Sequence, residues 1–217
     1  MIAIIDYKAG NLTSVARAIN HLGFECRITH RVKEILDADR VIFPGVGSAG
    51  QAMQDLKRTG LARTLYTIFK SGKPFLGICL GTQIILEESE ENQTTCLGLL
   101  QGTVKRFPTP LLSDDGKKLK VPHMGWNQIK IKRLHPLFKG VGPESEFYFV
   151  HSYFPAPRDI ETIIGTTNYG ITFASVISKR NLFAVQFHPE KSGPPGLTIL
   201  KNFCLWKVEE DKDSLGL

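Results

Sequence analysis

The chain has 217 residues, of which 27 are Lys or Arg and 21 are Asp or Glu, so its formal net charge is +6. This length fits one α/β domain with a full hydrophobic core, and the scattered basic residues argue against nucleic-acid binding. No apolar run reaches the length of a membrane helix or of a signal-peptide core, so we expect a soluble, cytoplasmic protein with no membrane partner.

Short β-rich runs alternate with helical patterns in the first half of the chain. The predicted strands there are 2–6, 24–29, 40–43 and 74–78, and the predicted helices are 12–22, 32–36, 49–69 and 82–88. The second half has predicted strands at 99–107, 127–131, 146–150, 162–168, 174–178 and 182–187, then a helix at 197–208. This order predicts a doubly wound α/β fold. We expect one domain over residues 1–208 and a frayed tail at 209–217.

Cys79 is the residue that the local pattern singles out. It lies in the run GICLG at 77–81, between a strand-like and a helix-like segment. A sharp strand-to-helix turn exposes a nucleophile, and a helix N-terminus favours a thiolate. A buried core thiol is the alternative, because free cysteine is among the most buried residue types. The other cysteines, Cys26, Cys96 and Cys204, form no C-x-x-C or metal-ligand spacing, so we expect a reducing compartment and no metal.

A general base for this thiol is predicted at the end of the strand 182–187. His188 and Glu190 share one face of an extended segment, so the carboxylate can orient the imidazole that serves Cys79. A strand-end histidine with a purely local hydrogen bond is the alternative interpretation. Both candidates follow predicted strands, and ligands of open α/β sheets bind outside the carboxyl ends of strands. This position favours a Cys-His-Glu triad.

Acyl transfer to a thiolate builds negative charge on the substrate oxygen, so backbone N–H donors are expected near Cys79. The N–H of Leu80 is the first candidate, because it follows the nucleophile. The run PGVG at 44–47 could supply a second donor from Val46 or Gly47, since glycines let the backbone approach a ligand closely. An ordinary strand-to-helix turn remains the alternative, and the spacing matches neither common phosphate-binding loop.

Three motifs in order, PGVG at 44–47, GICLGTQ at 77–83 and HPE at 188–190, together resemble the class I, triad-type glutamine amidotransferases over nearly the whole chain. The resemblance implies a flavodoxin-like three-layer sandwich with a mixed, largely parallel central sheet and no cofactor. It also implies that Cys79 attacks the side-chain amide of L-glutamine, that His188 protonates the departing ammonia and that Glu190 holds His188 in its working tautomer.

The resemblance extends to substrate and partner residues. By similarity, glutamine would be bound by five residues: Gly47, Gln83, Glu91, Ser152 and Tyr153. Glu90 is the alternative to Glu91. The stretches 6–15 and 122–127 resemble the subgroup that passes ammonia to a (β/α)₈-barrel cyclase. The expected contacts with this partner are Asn11, Pro122, His123, Met124, Trp126 and Lys191. For Gln83 a solvated helix position, and for Trp126 core packing, are the structural alternatives.

Other functions remain open at this stage. A glutaminase that serves guanylate, anthranilate or pyridoxal phosphate synthesis would carry the same triad, and only the stretches around Asn11 and Trp126 discriminate. A γ-glutamyl hydrolase or a cysteine peptidase would act without a partner. A binding module that has lost activity is disfavoured, because Cys79, His188 and Glu190 are all present.

Overall fold

An eight-stranded sheet forms the centre of the molecule in the computed structural model, which describes residues 1–8 and 11–208. In chain order the strands are β1 (Ile2–Ile5), β2 (Cys26–Thr29), β3 (Arg40–Gly45), β4 (Phe75–Cys79), β5 (Glu88–Ser89), β6 (Thr94–Thr95), β7 (Gly102–Arg106), β8 (His123–Gln128), β9 (Lys130–Ile131), β10 (Glu146–His151), β11 (Tyr153–Pro157), β12 (Ile163–Asn168), β13 (Thr172–Lys179) and β14 (Leu182–Val185). The α-helices are α1 (Leu12–His21), α2 (Val32–Asp37), α3 (Ala49–Arg58), α4 (Leu61–Lys70), α5 (Leu80–Gln83) and α6 (Gly193–Leu205).

The strand order of the central sheet is β2-β1-β3-β4-β14-β13-β12-β9. The first five strands are parallel and the last three pair antiparallel, so the sheet is mixed. In this register Gly45 lies opposite Cys79, and Val185 lies opposite Ile78. The carboxyl ends of β3, β4 and β14 therefore meet at one edge of the sheet, which is where a ligand of an open α/β sheet is expected.

Alternate residues along the parallel strands supply the two halves of the core. Ile2 and Ile4 pack with apolar residues of α1 and α6 on one face of the sheet, whereas Ala3 and Ile5 pack with those of α2, α3 and α4 on the other. Strands buried on both faces read as continuous apolar runs, as β1 does. The result is a three-layer sandwich, which confirms the predicted fold class.

Two smaller sheets cover the edge that carries the strand ends. One pairs β10 with β8, and the other has the order β11-β7-β5-β6. In the first, β8 and β10 run antiparallel with His123 directly opposite His151 and Trp126 opposite Tyr148. None of the helices in the described parts of the chain is both long and apolar enough to cross a membrane.

Several predicted boundaries are wrong. The helix predicted at 49–69 is two helices, because Gly60 has a φ of +74° and ends the α-helical path. The helix predicted at 82–88 is the four-residue α5, followed by turns and then by β5. Strand β8 begins before the predicted strand 127–131, and β11 lies outside all predicted strands. The glycine in β8 and the prolines in β11 weaken the strand pattern of the sequence. The predicted tail at 209–217 lies outside the described residues.

Candidate active site

Cys79 lies at the carboxyl end of β4, where the chain turns directly into α5. Its φ is +53° and its ψ is −108°, a backbone conformation that residues other than glycine rarely adopt. The turn is so tight that a methyl group added at Gly81 would lie 2.0 Å from the carbonyl oxygen of Phe43. This is the geometry of a nucleophile elbow, which lifts the side chain out of the sheet.

His188 follows β14, the strand that pairs in parallel with β4. Its Nδ1 atom lies 2.8 Å from Oε1 of Glu190, and neither side chain is exposed to solvent. The same carboxylate oxygen accepts a hydrogen bond from Nδ2 of Asn11 at 3.0 Å. Because an ionised carboxylate only accepts hydrogen bonds, Nδ1 of His188 carries a hydrogen and Nε2 is the atom left for the sulfur.

Burial and two neighbouring side chains shift the pKa of His188 in opposite directions. Burial lowers this pKa, but the sulfur of Cys79 and then the carboxylate of Glu190 outweigh burial and raise it from 6.5 to about 10. Among the described residues Nε2 has no partner that meets strict hydrogen-bond geometry, although the sulfur is close enough to raise the pKa of the ring. A protonated imidazole beside the sulfur can give its proton to a group that leaves from a substrate bound there.

A cavity of about 380 Å³ opens beside the sulfur, a size suited to a small molecule. Its lining contains Cys79, His188 and every residue predicted to bind substrate. The lining residues are Val46, Gly47, Cys79, Leu80, Gln83, Glu91, Pro122, Val150, His151, Ser152, Tyr153 and His188. The fold therefore brings together side chains from distant parts of the sequence, with Glu190 behind His188.

The residues predicted to donate N–H groups to an oxyanion lie next to the sulfur. Gly45 lies opposite Cys79 in the pairing of β3 with β4. The next two residues, Val46 and Gly47, therefore lie just beyond the nucleophile at the same edge of the sheet. Gly47 has a φ of +95°, which glycine adopts without strain. Leu80 is the first residue of α5, where N–H groups have no partner within the helix.

The two adjacent carboxylates at positions 90 and 91 point to different places. Glu91 lines the cavity, and its Oε2 atom accepts a hydrogen bond from the backbone N–H of Ala49 at 2.6 Å. Oε2 of Glu90 instead accepts from the backbone N–H of Arg106 at 2.7 Å, an exposed position on β7. Of the two, Glu91 is therefore the one placed to meet a bound molecule.

Gln186 is a neighbour of the sulfur that the sequence analysis missed. Its Nε2 atom donates a hydrogen bond to Sγ of Cys79 at 3.7 Å, and its Oε1 atom accepts one from Nε2 of Gln83 at 3.1 Å. Gln186 is fully buried. It lies two residues before His188. The alternation of side chains in an extended segment would therefore have predicted both side chains on the same face.

Tyr7 is a second buried neighbour that the sequence did not single out. Its hydroxyl lies over Gly45 and has no hydrogen-bond partner among the described residues. Burial, together with the nearby Cys79 and Asp55, raises the pKa of this hydroxyl. Only a contact between residues far apart in the sequence places it there, so no local pattern could have found it.

An exposed apolar patch lies beside the cavity, on the outer face of β8. Met124 and Trp126 are 61% and 54% exposed. The ring of Trp126 lies edge-on to that of Tyr148, with centroids 6.0 Å apart, and Nζ of Lys191 is 5.9 Å from the centroid of Tyr148. We call these four residues the outer patch. Exposed aromatic and methionine side chains of this kind are typical of protein interfaces.

Two of the residues predicted to contact a partner lie inside the molecule. His123 is 2% exposed, because alternation along β8 turns it inward when Met124 turns outward. Asn11 is buried against Glu190. These two side chains are therefore buried in this chain, while Pro122, at the cavity, is exposed. Their contact with a partner stays a prediction.

A strained cysteine at a strand end, a histidine held by a carboxylate and a mixed parallel sheet define a triad-type hydrolase or transferase. The family model described as "Glutamine amidotransferase class-I" matches residues 3–206. The chain therefore belongs to the class-I glutamine amidotransferase family.

Curated relatives within this family are matched nearly end to end. A protein of Nitratidesulfovibrio vulgaris is 53% identical over 98% of this chain and 100% of its own length. One of Dehalococcoides mccartyi is 48% identical over 98% of this chain and 100% of its own length. One of Thiobacillus denitrificans is 46% identical over 100% of this chain and 96% of its own length. Each is named imidazole glycerol phosphate synthase subunit HisH.

Solved structures share the fold at low sequence identity. The structure of PurLQS from Thermotoga maritima gives a TM-score of 0.71 at 16% identity, over 94% of this chain and 97% of that one. A glutamine amidotransferase crystal structure gives 0.69 at 17% identity, over 94% of this chain and 100% of that one. At such identities the likeness supports the fold alone.

Proposed function

We propose that this chain is the glutamine-hydrolysing subunit of a cytoplasmic imidazole glycerol phosphate synthase, an enzyme of histidine biosynthesis, and that Cys79, His188 and Glu190 are its catalytic triad. The observation that carries this proposal is the position of the three side chains: a strained cysteine and a buried His–Glu pair meet at one cavity. The names of the full-length relatives support the choice of synthase.

The proposed reaction proceeds in two halves. The sulfur of Cys79 attacks Cδ of the glutamine side chain, and His188 donates its proton to the leaving nitrogen, so that ammonia departs and a thioester remains. Water then attacks the thioester while His188 takes up a proton from it, which releases glutamate and restores the thiolate–imidazolium pair. The N–H groups of Leu80 and of Val46 or Gly47 would stabilise the negative oxygen in both halves.

The cavity lining contains polar groups that suit the α-amino and α-carboxylate end of glutamine. The carboxylate of Glu91 suits a positively charged α-amino group. Ser152, Tyr153 and Gln83 line the same cavity and present hydroxyl, backbone and amide groups. Gln83 is 5% exposed, and its Nε2 atom is bonded to the carbonyl of Tyr153 at 2.8 Å, so it acts through a fixed network rather than as a solvated surface residue.

The outer patch is the proposed docking surface for a (β/α)₈-barrel cyclase that receives the ammonia. Pro122 lines the cavity, and Met124 and Trp126 follow it on β8, so the patch begins where the cavity opens. Ammonia in water near pH 7 mostly takes up a proton and loses its nucleophilicity. A partner sealed over this opening would keep ammonia out of bulk water until it reacts.

Replacement of Cys79 by alanine tests the proposal. In a complex with the cyclase subunit, Cys79→Ala should lower glutamine-dependent synthesis by at least about 10³-fold and leave synthesis from added ammonium salts intact. Cys96→Ala is the matched control, because Cys96 is also buried but does not line the cavity, and burial raises the pKa of its thiol to about 11. Retained glutamine hydrolysis in Cys79→Ala, or equal loss of both activities, would refute the assignment.

A further inference from the structure

Two imidazoles form a buried pair behind the outer patch. His123 on β8 and His151 on β10 lie directly opposite each other, and Nδ1 of His123 is 3.1 Å from Nε2 of His151. The rings are 2% and 5% exposed, and His123 is stacked between Phe149 and Tyr169. Neither ring has a role in the proposed chemistry, although His151 lines the cavity.

The carbonyl oxygen at one end of this pair determines which nitrogen donates in each of its hydrogen bonds. Nδ1 of His151 lies 2.8 Å from the carbonyl oxygen of Tyr153, which can only accept, so Nδ1 must donate. Nε2 of a neutral His151 is then an acceptor, and Nδ1 of His123 donates to it. Nε2 of His123 is left as the acceptor for Nδ2 of Asn127 at 3.3 Å. Asn127 also donates to the carbonyl of Asn168 at 2.9 Å.

Burial keeps both rings neutral, as this arrangement requires. Desolvation lowers the pKa of His123 to about 4 and that of His151 to about 3. For His151 the hydrogen bond to Tyr153 opposes this shift, and the nearby His123 and His188 add to it. Both rings therefore carry their hydrogen on Nδ1, which is the tautomer that a free imidazole does not prefer.

The chain of hydrogen bonds continues from Tyr153 to the sulfur. The Tyr153 carbonyl also accepts from Nε2 of Gln83 at 2.8 Å, and Gln83 donates its second hydrogen to Oε1 of Gln186 at 3.1 Å. Nε2 of Gln186 then donates to Sγ of Cys79 at 3.7 Å. An unbroken series of directional contacts thus joins β8 to the nucleophile.

The two faces of β8 connect this series to the outer patch. Met124 and Trp126 point outward, while His123 and Asn127, their neighbours in the same strand, point inward. A partner that fixes Met124 and Trp126 also fixes the backbone that carries His123 and Asn127. Because hydrogen bonds weaken steeply when they are misaligned, the position of β8 affects the alignment of the whole series.

We propose that His123 and His151 are positioning residues that tie the partner-binding strand β8 to the glutamine cavity and, through Gln83 and Gln186, to the sulfur of Cys79. This inference rests on the proposed function for its partner and its substrate. Neither imidazole touches the reacting atoms in the proposed reaction. Both act by holding the Tyr153 carbonyl and the Gln83 amide in the alignment that the docked strand defines.

The sharpest variant is His123→Phe, which keeps an aromatic ring but leaves Nε2 of His151 without a donor. In the complex, kcat/KM for glutamine should fall about ten-fold, the effect expected from one misaligned hydrogen bond, while the affinity for the cyclase subunit stays within about two-fold, because the outer patch is unchanged. His123→Asn should recover part of the loss, since Nδ2 of asparagine can occupy the position of Nδ1.

Thr167→Val is the matched control, because it deletes another buried hydrogen bond, from Thr167 to Ser175 at 2.8 Å, which lies outside this series. It should lower stability to a similar extent without changing kcat/KM. Equal kinetic losses in His123→Phe and Thr167→Val, or no rescue by His123→Asn, would overturn the inference.

A measurement independent of catalysis separates this inference from the proposed function. In ¹⁵N NMR spectra of the imidazoles near pH 7, His123 and His151 should both show the Nδ1–H tautomer. Nε2–H signals from either ring would overturn the inference even if glutamine hydrolysis were normal. A wild-type chain with the expected tautomers but no glutaminase activity in the complex would instead count against the proposed function.

Discussion

Replacement of Gly45 by alanine should destabilise the protein chiefly through one atom, the hydroxyl oxygen of Tyr7. An alanine methyl group at position 45 would lie 2.1 Å from that oxygen and 3.0 Å from Cβ of Leu80. The first distance is far inside van der Waals contact, so the tyrosine or β3 must move. Overpacking of a core site costs typically about 1–3 kcal/mol, and we expect a loss of about 2–3 kcal/mol in the free energy of unfolding.

Tyr7→Phe should relieve this clash. The hydroxyl is buried without a hydrogen-bond partner among the described residues, so its removal leaves no other group unpaired. We expect the single variant Tyr7→Phe to be neutral or more stable by up to about 1 kcal/mol. In that background Gly45→Ala should cost only about 1 kcal/mol, from the remaining contact with Leu80, so the two substitutions should be coupled by about 1–2 kcal/mol.

Urea unfolding of the wild type, the two single variants and the double variant measures this coupling. Gly50→Ala is a useful control, because a methyl group there would meet only Thr94, at 3.4 Å, within α3. Its effect should be the same with tyrosine or phenylalanine at position 7. The reasoning fails if Gly45→Ala costs the same in both backgrounds, or if Tyr7→Phe alone costs more than about 1 kcal/mol, which would mean that the hydroxyl has a partner.

Three further predictions concern the triad, the outer patch and pH. Glu190→Gln should lower kcat by less than His188→Ala does, because an orienting group contributes less than the base itself; steady-state kinetics giving the reverse order would contradict these roles. Trp126→Ala should weaken binding of the cyclase subunit by about 30-fold or more in titration calorimetry, whereas Leu134→Ala, at a residue 98% exposed outside the patch, should not; equal affinities would exclude Trp126 as an anchor. Burial lowers the pKa of three imidazoles to about 4, about 4 and about 3, below the unfolded value, so the free energy of unfolding should fall from about pH 6.5 towards pH 4. A midpoint urea concentration that rises as the pH is lowered over this window would contradict that sign. These imidazoles belong to His123, His135 and His151.

The sequence predicts best what depends on neighbours in the chain. Cys79 is flanked by glycines within two residues, and His188 and Glu190 share a face because they are two residues apart. Short continuous apolar runs likewise predict the parallel strands, and helical periodicity predicts the layers that cover them. The single predicted helix at 49–69 was wrong because the apolar pattern continues through Gly60, and only the backbone conformation there divides it.

Contacts between distant residues carry no such local signal. Asn11 meets Glu190 across 179 positions, and Gln186 meets Cys79 across 107. Asn11 and His123 are named as partner residues by the resemblance alone, which does not say which side of a strand or helix a residue occupies, and both side chains are buried. For His123, strict alternation with the exposed Trp126 side of β8 would have indicated an inward side chain.

Three departures from ideal structure in this protein lie close to one sulfur. Cys79 holds the backbone angles of the first central residue of a type II′ turn, a position that favours glycine. Tyr7 buries a hydroxyl beside it that has no hydrogen-bond partner in the described part of the chain, and the pKa of the buried His188 is raised. The strained backbone of Cys79 and the buried hydroxyl of Tyr7 each cost stability on the order of 1–3 kcal/mol, and they persist because two apolar layers fix the sheet on both faces. These costs lie at the proposed active site, where a loss of stability in exchange for function is expected.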